Sequence, residues 1–183
     1  MTIELVSYSD LQNLLSLEDV TITGYPSLEV IRDSVTGAFE AYTGRLFDPI
    51  ARTVTQYINK FSLYMISLPA LPISSVASVA VTIAGDSETY TEDSDFEITG
   101  YGLRLFSGIQ NGKIVITYTG GLTTVPADLN RAALLQIAYE FQSKDQIGAE
   151  SVSTVGGSVS RPALGLLSEV KRILDNYKHP LRW

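Results

Sequence analysis

Apolar positions fall first at helical spacing, then at alternate positions, then at helical spacing again. Leu11, Leu14 and Leu15 share one face and predict a short helix over 7–17, with Ser9 as its N-cap. Leu28, Ile31, Val35, Ala38, Phe39 and Tyr42 recur at three- and four-residue intervals and predict a second helix. Pro26 suits its first turn, and Gly44 suits its left-handed stop. From residue 52 the pattern changes. Runs rich in Thr, Val, Ile and Tyr predict strands over 52–61, 63–68 and 73–83, with shorter ones over 88–91, 96–99, 103–106 and 114–118. Short turns between neighbours favour antiparallel pairing, and the second strand is the expected hairpin partner of the first.

The last third turns helical again. Pro126 and Asp128 fit a helix start. Leu129, Ala132, Ala133, Leu134, Leu135, Ile137, Ala138 and Phe141 form a stripe too broad for a helix facing one core. Such a helix is expected to be buried on more than one side, and Leu134, Leu135, Ala138 and Phe141 are the candidate subunit interface. Residues 147–160 are rich in Gly and Ser without periodicity, and predict an extended or mobile loop. Arg161-Pro162 then opens a final helix with Ala163, Leu167, Val170, Leu174 and Tyr177 on one face. The fold class implied is α+β, a helical bundle formed by N- and C-terminal helices with an inserted antiparallel β module. Its three parts are 1–50, 51–120 and 121–183, the last carrying the loop at 147–160 and a tail at 178–183.

Hydrophobic residues make up 45% of the 183, enough for a core. Cysteine is absent, which excludes disulfides and thiolate chemistry. The first residues, Met1-Thr-Ile-Glu-Leu5, lack the basic and apolar regions of a signal peptide, and no apolar run approaches a membrane span. The expectation is a soluble protein made in the cytoplasm. The net charge of −7 is uneven. Residues 161–183 carry Arg161, Lys171, Arg172, Lys178 and Arg182 against Glu169 and Asp175, a net of +3, so the rest carries −10. An acidic body argues against generic nucleic-acid binding. The basic end is either a docking segment for an acidic partner or the usual complement to a helix C-terminus.

Catalytic chemistry finds little support. The single histidine, His179, lies near the end, and as a terminal, flexible side chain it makes a poor general base. Metal sites built on several histidines are excluded by number. Asp86, Glu88, Glu92, Asp93, Asp95 and Glu97 form an acidic cluster that calcium could use, but the glycine and flanking helices of an EF-hand are missing. The other reading is a solvated strand edge whose charges discourage edge-to-edge pairing. Neither Gly100-Tyr-Gly102 nor Thr119-Gly-Gly121 has the lysine or the spacing of a phosphate loop. No cofactor is implied.

Three islands carry a likeness: the helix end at Thr43-Gly-Arg45, the run Pro72-Ile-Ser-Ser-Val-Ala-Ser-Val79, and Tyr118-Thr-Gly-Gly-Leu122 leading to Val125-Pro-Ala-Asp-Leu129. In order and spacing the chain resembles the head–tail connector (adaptor) proteins of tailed phages over most of residues 1–145. The resemblance implies a non-catalytic virion protein of the neck. It implies a ring of subunits, about twelve, below the portal protein, extending the DNA channel and meeting head-closure or tail proteins. DNA would pass through the lumen without sequence-specific binding, and no membrane is involved. Tyr177, Lys178, Leu181, Arg182 and Trp183 are the candidate portal-docking residues, since aromatic and arginine anchors dominate binding hot spots. The alternatives are another ring-forming neck protein, such as a head-closure or tail-terminator subunit, and a calcium- or carbohydrate-binding β module with helical flanks.

Overall fold

A computed structural model describes residues 3–15, 26–59, 62–143, 152–154, 157–159 and 165–180. The chain is α+β, with four α-helices and antiparallel sheets, and divides into two compact units. One comprises residues 43–124 with Ile3 and 178–180; the other comprises 4–42 and 125–177. Among the described residues no helix is long and apolar enough to cross a membrane.

The first unit is built from seven strands: β1 (Ile50–Ile58), β2 (Leu63–Ser67), β3 (Ile73–Ile83), β4 (Asp86–Tyr90), β5 (Phe96–Thr99), β6 (Gly102–Ile109) and β7 (Gly112–Gly120). They form a four-stranded sheet in the order β1-β7-β3-β4 and a three-stranded sheet in the order β2-β6-β5. Every pairing is antiparallel. The expected hairpin between the first two strands is not made. β1 pairs with β7 over its whole length, and β2 joins β6 in the other sheet. Alternation explains the choice. Val54, Gln56 and Ile58 of β1 face the same way as Ile116, Ile114 and Gly112 of β7, so pairing them puts both apolar faces on one core. That core joins residues of both sheets, with Val79, Val81, Ile114, Ile116 and Tyr118 from one and Ile66, Leu103, Leu105 and Ile109 from the other.

Tyr118 is fully buried, and its hydroxyl oxygen accepts the Ala70 N–H at 3.1 Å. Burial pushes the phenol pKa up from its usual 10, more than that hydrogen bond and the Arg52 charge pull it down. The next turn is tight. A Cβ on Gly120 would lie 2.4 Å from the Ala70 carbonyl oxygen, and one on Gly121 would lie 2.3 Å from that of Asp48. The Gly-Gly pair therefore lets the backbone of β7 leave the sheet between two other backbones. The β3–β4 hairpin turns on Ala84 (φ 53°) and Gly85 (φ 99°), both left-handed as a two-residue loop between twisted strands requires.

The second unit holds α1 (Tyr8–Leu15), α2 (Pro26–Thr43, whose last residue falls in the first unit), α3 (Ala127–Ser143) and α4 (Ser168–Leu174). A 3-10 turn follows at Asp175–Tyr177. Ser7, not Ser9, caps α1: its hydroxyl oxygen accepts the Asp10 N–H at 3.2 Å. Gly44, at φ 69°, ends α2 as the pattern predicts. Segments from both ends of the chain are joined by side chains. Asn130 donates to the Leu5 carbonyl (2.8 Å), Tyr42 to Asp175 (2.9 Å) and Tyr177 to Asp128 (2.5 Å). The nearly buried Arg32 pairs with Glu4 at 3.1 Å and lies over the Tyr8 ring. Within the stretch expected to be an extended or mobile loop, the described residues form two short antiparallel strands, β8 (Val152–Thr154) and β9 (Gly157–Val159).

The hairpin turn and the buried phenol are each open to a single substitution. Ala84→Asn relieves a left-handed alanine and raises the unfolding free energy by about 0.5–1 kcal/mol, read as a higher urea midpoint at constant m-value. Tyr118→Phe leaves the Ala70 N–H unpaired and lowers stability by about 1–3 kcal/mol at neutral pH. The phenol pKa is higher folded than unfolded, so its contribution is constant below pH 10 and is lost as pH rises beyond it. Loss of the hydroxyl removes that part of the alkaline decline, while the raised Tyr8 and Tyr90 phenols keep theirs.

Candidate functional site

Parts of the three sequence islands, far apart in the chain, lie close together in the first unit: Arg45, Pro72 and Gly121–Leu122. Arg45 donates to the Leu71 carbonyl at 2.7 Å, Gly121 N–H to the Pro72 carbonyl at 3.0 Å, and Leu122 N–H to the Phe47 carbonyl at 2.7 Å. Leu46 N–H reaches the Pro69 carbonyl at 2.8 Å. These residues form a seam of hydrogen bonds to backbone carbonyls around the fully buried Phe47 and Ala70. Its chemistry is that of a joint, with neither a nucleophile nor a cavity of titratable groups.

His179 corrects the expectation of a flexible terminal side chain. It is buried, its N–H donates to the Thr43 carbonyl at 2.8 Å, and Nε2 lies 3.1 Å from both the Leu68 carbonyl and the Ser67 hydroxyl. A carbonyl only accepts, so Nε2 carries a proton. That nitrogen therefore cannot take the Ser67 proton, and the pair is an anchor rather than a nucleophile with its base. The segment 178–180 is thus tied to the strand end at Ser67–Leu68.

The final helix also differs from its expectation. It begins at Ser168 rather than at Arg161-Pro162, which lies outside the described residues. Leu167 at its N-cap position has no side chain able to cap, and Gln136 of α3 substitutes. Gln136 is buried. Its Oε1 accepts the Leu167 N–H at 3.0 Å, while its Nε2 donates to the Gly165 carbonyl (3.3 Å) and to Glu140 (2.9 Å). Neither Gln136 nor the anchoring role of His179 was singled out by the pattern. A polar residue inside the apolar stripe of α3 was the available signal.

Of the candidate interface residues, Leu134, Leu135, Ala138 and Phe141 are half-buried. The buried positions of α3 are Leu129, Ala132, Ala133, Gln136 and Ile137, one stripe at three- and four-residue spacing. Within the chain α3 is therefore fully covered on one side, and the second apolar side faces away from that stripe. Of the candidate docking residues, Tyr177 is engaged with Asp128, Lys178 is exposed, and Leu181, Arg182 and Trp183 lie outside the described residues. The acidic residues are dispersed. Asp86 and Glu88 sit on β4, Asp95 accepts the Thr91 N–H at 2.8 Å within a turn, and Glu97 pairs with Arg104 on the adjacent strand at 2.6 Å. Among the described residues no group of three or more such side chains could hold a metal ion.

The buried polar groups Gln136 and His179 fasten segments of the chain to one another, and one side of α3 keeps half-buried apolar side chains. A model of the head completion protein family matches residues 4–179, and the chain belongs to that family. Solved structures agree in fold. The neck of an empty gene transfer agent (GTA) particle, computed with C6 symmetry, contains a chain with TM-score 0.57 and 16% identity, covering 96% of this chain and 90% of that one. The neck of the native particle, computed with C12 symmetry, gives TM-score 0.54 and 15% identity over 91% and 97%. The virion of the native particle gives 0.57 and 16% over 96% and 90%. No curated protein matches the chain.

Gln136→Leu strands the Leu167 N–H and Gly165 carbonyl, and His179→Ala releases 178–180. Each is expected to cost about 1–3 kcal/mol. Limited proteolysis checks the assignments, with faster cleavage near 165 in the first variant and after Lys178 in the second.

Proposed function

We propose that this protein is a non-catalytic connector that forms a ring of about twelve copies below the portal protein. It extends the DNA channel and joins the head to head-closure or tail proteins. The family match over residues 4–179 is the observation that carries this reading. It also leaves the calcium- or carbohydrate-binding alternative without support. The ring reading draws on the necks in which the similar chains occur, computed with C6 and C12 symmetry. In this reading the helices of 4–42 and 125–177 act as a bundle, and the β unit is an insertion within it. The second apolar side of α3, with Leu134, Leu135, Ala138 and Phe141, packs against the neighbouring copy. A body carrying −10 outside the last 23 residues lets DNA slide without holding its phosphates. Tyr177 and Lys178, with Leu181, Arg182 and Trp183 beyond them, dock on the portal.

Native mass spectrometry of the protein, alone and with its portal, tests the reading. A ring in either sample supports it, and a monomer that ignores the portal overturns it. Leu135→Glu with Ala138→Glu keeps the buried stripe of α3 intact and should weaken assembly by at least about tenfold, or about 1.4 kcal/mol. Removing 181–183 spares the His179 anchor and should weaken portal binding while leaving the fold unchanged. Undiminished binding removes the docking role.

A further inference from the structure

The four-stranded sheet has two unlike edges. β1 is a nine-residue edge strand, paired with β7 from Ile50 to Ile58 with no break in register. It has no proline, no lysine and no bulge. Its one charge, Arg52, folds back onto the carbonyls of Asp48 (2.7 Å), Ile50 (3.3 Å) and Gly120 (3.4 Å). Tyr57, on the same strand, is 74% exposed, the most exposed large hydrophobic residue of the chain's described part. The opposite edge, β4, is five residues long and carries Asp86 and Glu88.

Charge is sorted across this sheet. The β1–β7 half carries Arg52 and Lys113 and no acid. The β3–β4 half carries Asp86 and Glu88 and no base. Direction is sorted as well. Four strands alternate, so β1 and β4 run antiparallel to each other. The edges are also level. Tyr57, Lys113, Thr82 and Ser87 form one continuous row across the sheet, and Thr55, Val115, Ala80 and Thr89 form the next but one. A second copy placed beside the first by rotation would set its β1 against this β4 in the antiparallel sense, with the basic half meeting the acidic half. The three-stranded sheet lacks this match, because its edge strands β2 and β5 run parallel to each other.

We propose that β1 of one copy adds to β4 of the next, so that the four-stranded sheets join into one antiparallel β ring. The inference rests on the ring reading above and adds a specific contact to it. Such a contact is head-to-tail, which is what closes a ring rather than a two-fold dimer. Backbone hydrogen bonds supply the affinity, and the opposite charges select the antiparallel neighbour over other pairings.

The absence of cysteine makes the test clean. Tyr57→Cys and Ser87→Cys are introduced together in the full chain, and Thr55→Cys with Thr89→Cys serves as a second pair in case of a two-residue offset or a poorly folding variant. Adjacent antiparallel strands bring such thiols within disulfide reach. Mild oxidation of assembled protein should yield a covalent ladder of monomers up to the size of the ring on a non-reducing gel. Each single-cysteine variant should stop at dimers or below. Rings seen by native mass spectrometry without a ladder from either pair overturn the strand contact and leave the ring reading standing. No ring, alone or on the portal, overturns both.

Discussion

β7 is the strand on which the β unit depends. It is hydrogen-bonded along its length to β1 on one side and to β3 on the other, so it links strands separated by many residues of chain. Its inward side chains, Ile114, Ile116 and Tyr118, are fully buried and fill the middle of the core. Its last residues leave the sheet through a gap too narrow for any side chain. Closing the long loop between β1 and β7 costs conformational entropy, which the burial of the inward side chains offsets. The backbones that the exit passes are those of Ala70 on one side and of Phe47 and Asp48 on the other, and the Pro72 carbonyl accepts the Gly121 N–H as the chain leaves.

The second unit is held by different means. Its helices share apolar stripes, but the ends of the chain are fixed by single polar contacts, each between residues remote in sequence. Gln136 is the most consequential. A helix whose own N-cap residue cannot cap is unstable by itself, and α4 is only seven residues long. By lending its amide, α3 fixes where α4 starts. The beginning of α4 is thus defined by a side chain of α3 rather than by its own sequence.

Local pattern made most elements legible. β3 and β5 run over the spans that alternation predicts, and α2 stops where glycine says it should. Partnership was less legible. The pairing of β1 with β7 depends on matching faces across about sixty residues, which nearest-neighbour hairpin logic cannot see. The start of α4 depends on a glutamine in another helix, and the burial of His179 depends on Thr43 and on the strand end at Ser67–Leu68. Ser9 was the wrong cap for a simpler reason: three candidate capping groups, Ser7, Ser9 and Asp10, crowd one turn, and only the first has the geometry. Part of the family resemblance was legible because Arg45, Pro72, Gly121 and Leu122 belong to the seam, where close backbone packing restricts residue type.

The Phe47–Leu122 hydrogen bond has a consequence for the architecture of the gene product. It pins the chain entering the β unit to the chain leaving it. About seventy-five residues are thereby closed into a loop whose two ends are one hydrogen bond apart. A change of length in an outer turn of such a cassette leaves that pair of ends, and the His179 anchor at Ser67–Leu68, where they are. The exposed β3–β4 turn at Ala84–Gly85, remote from both, is therefore a place where an insertion would leave the fastening of the unit unchanged.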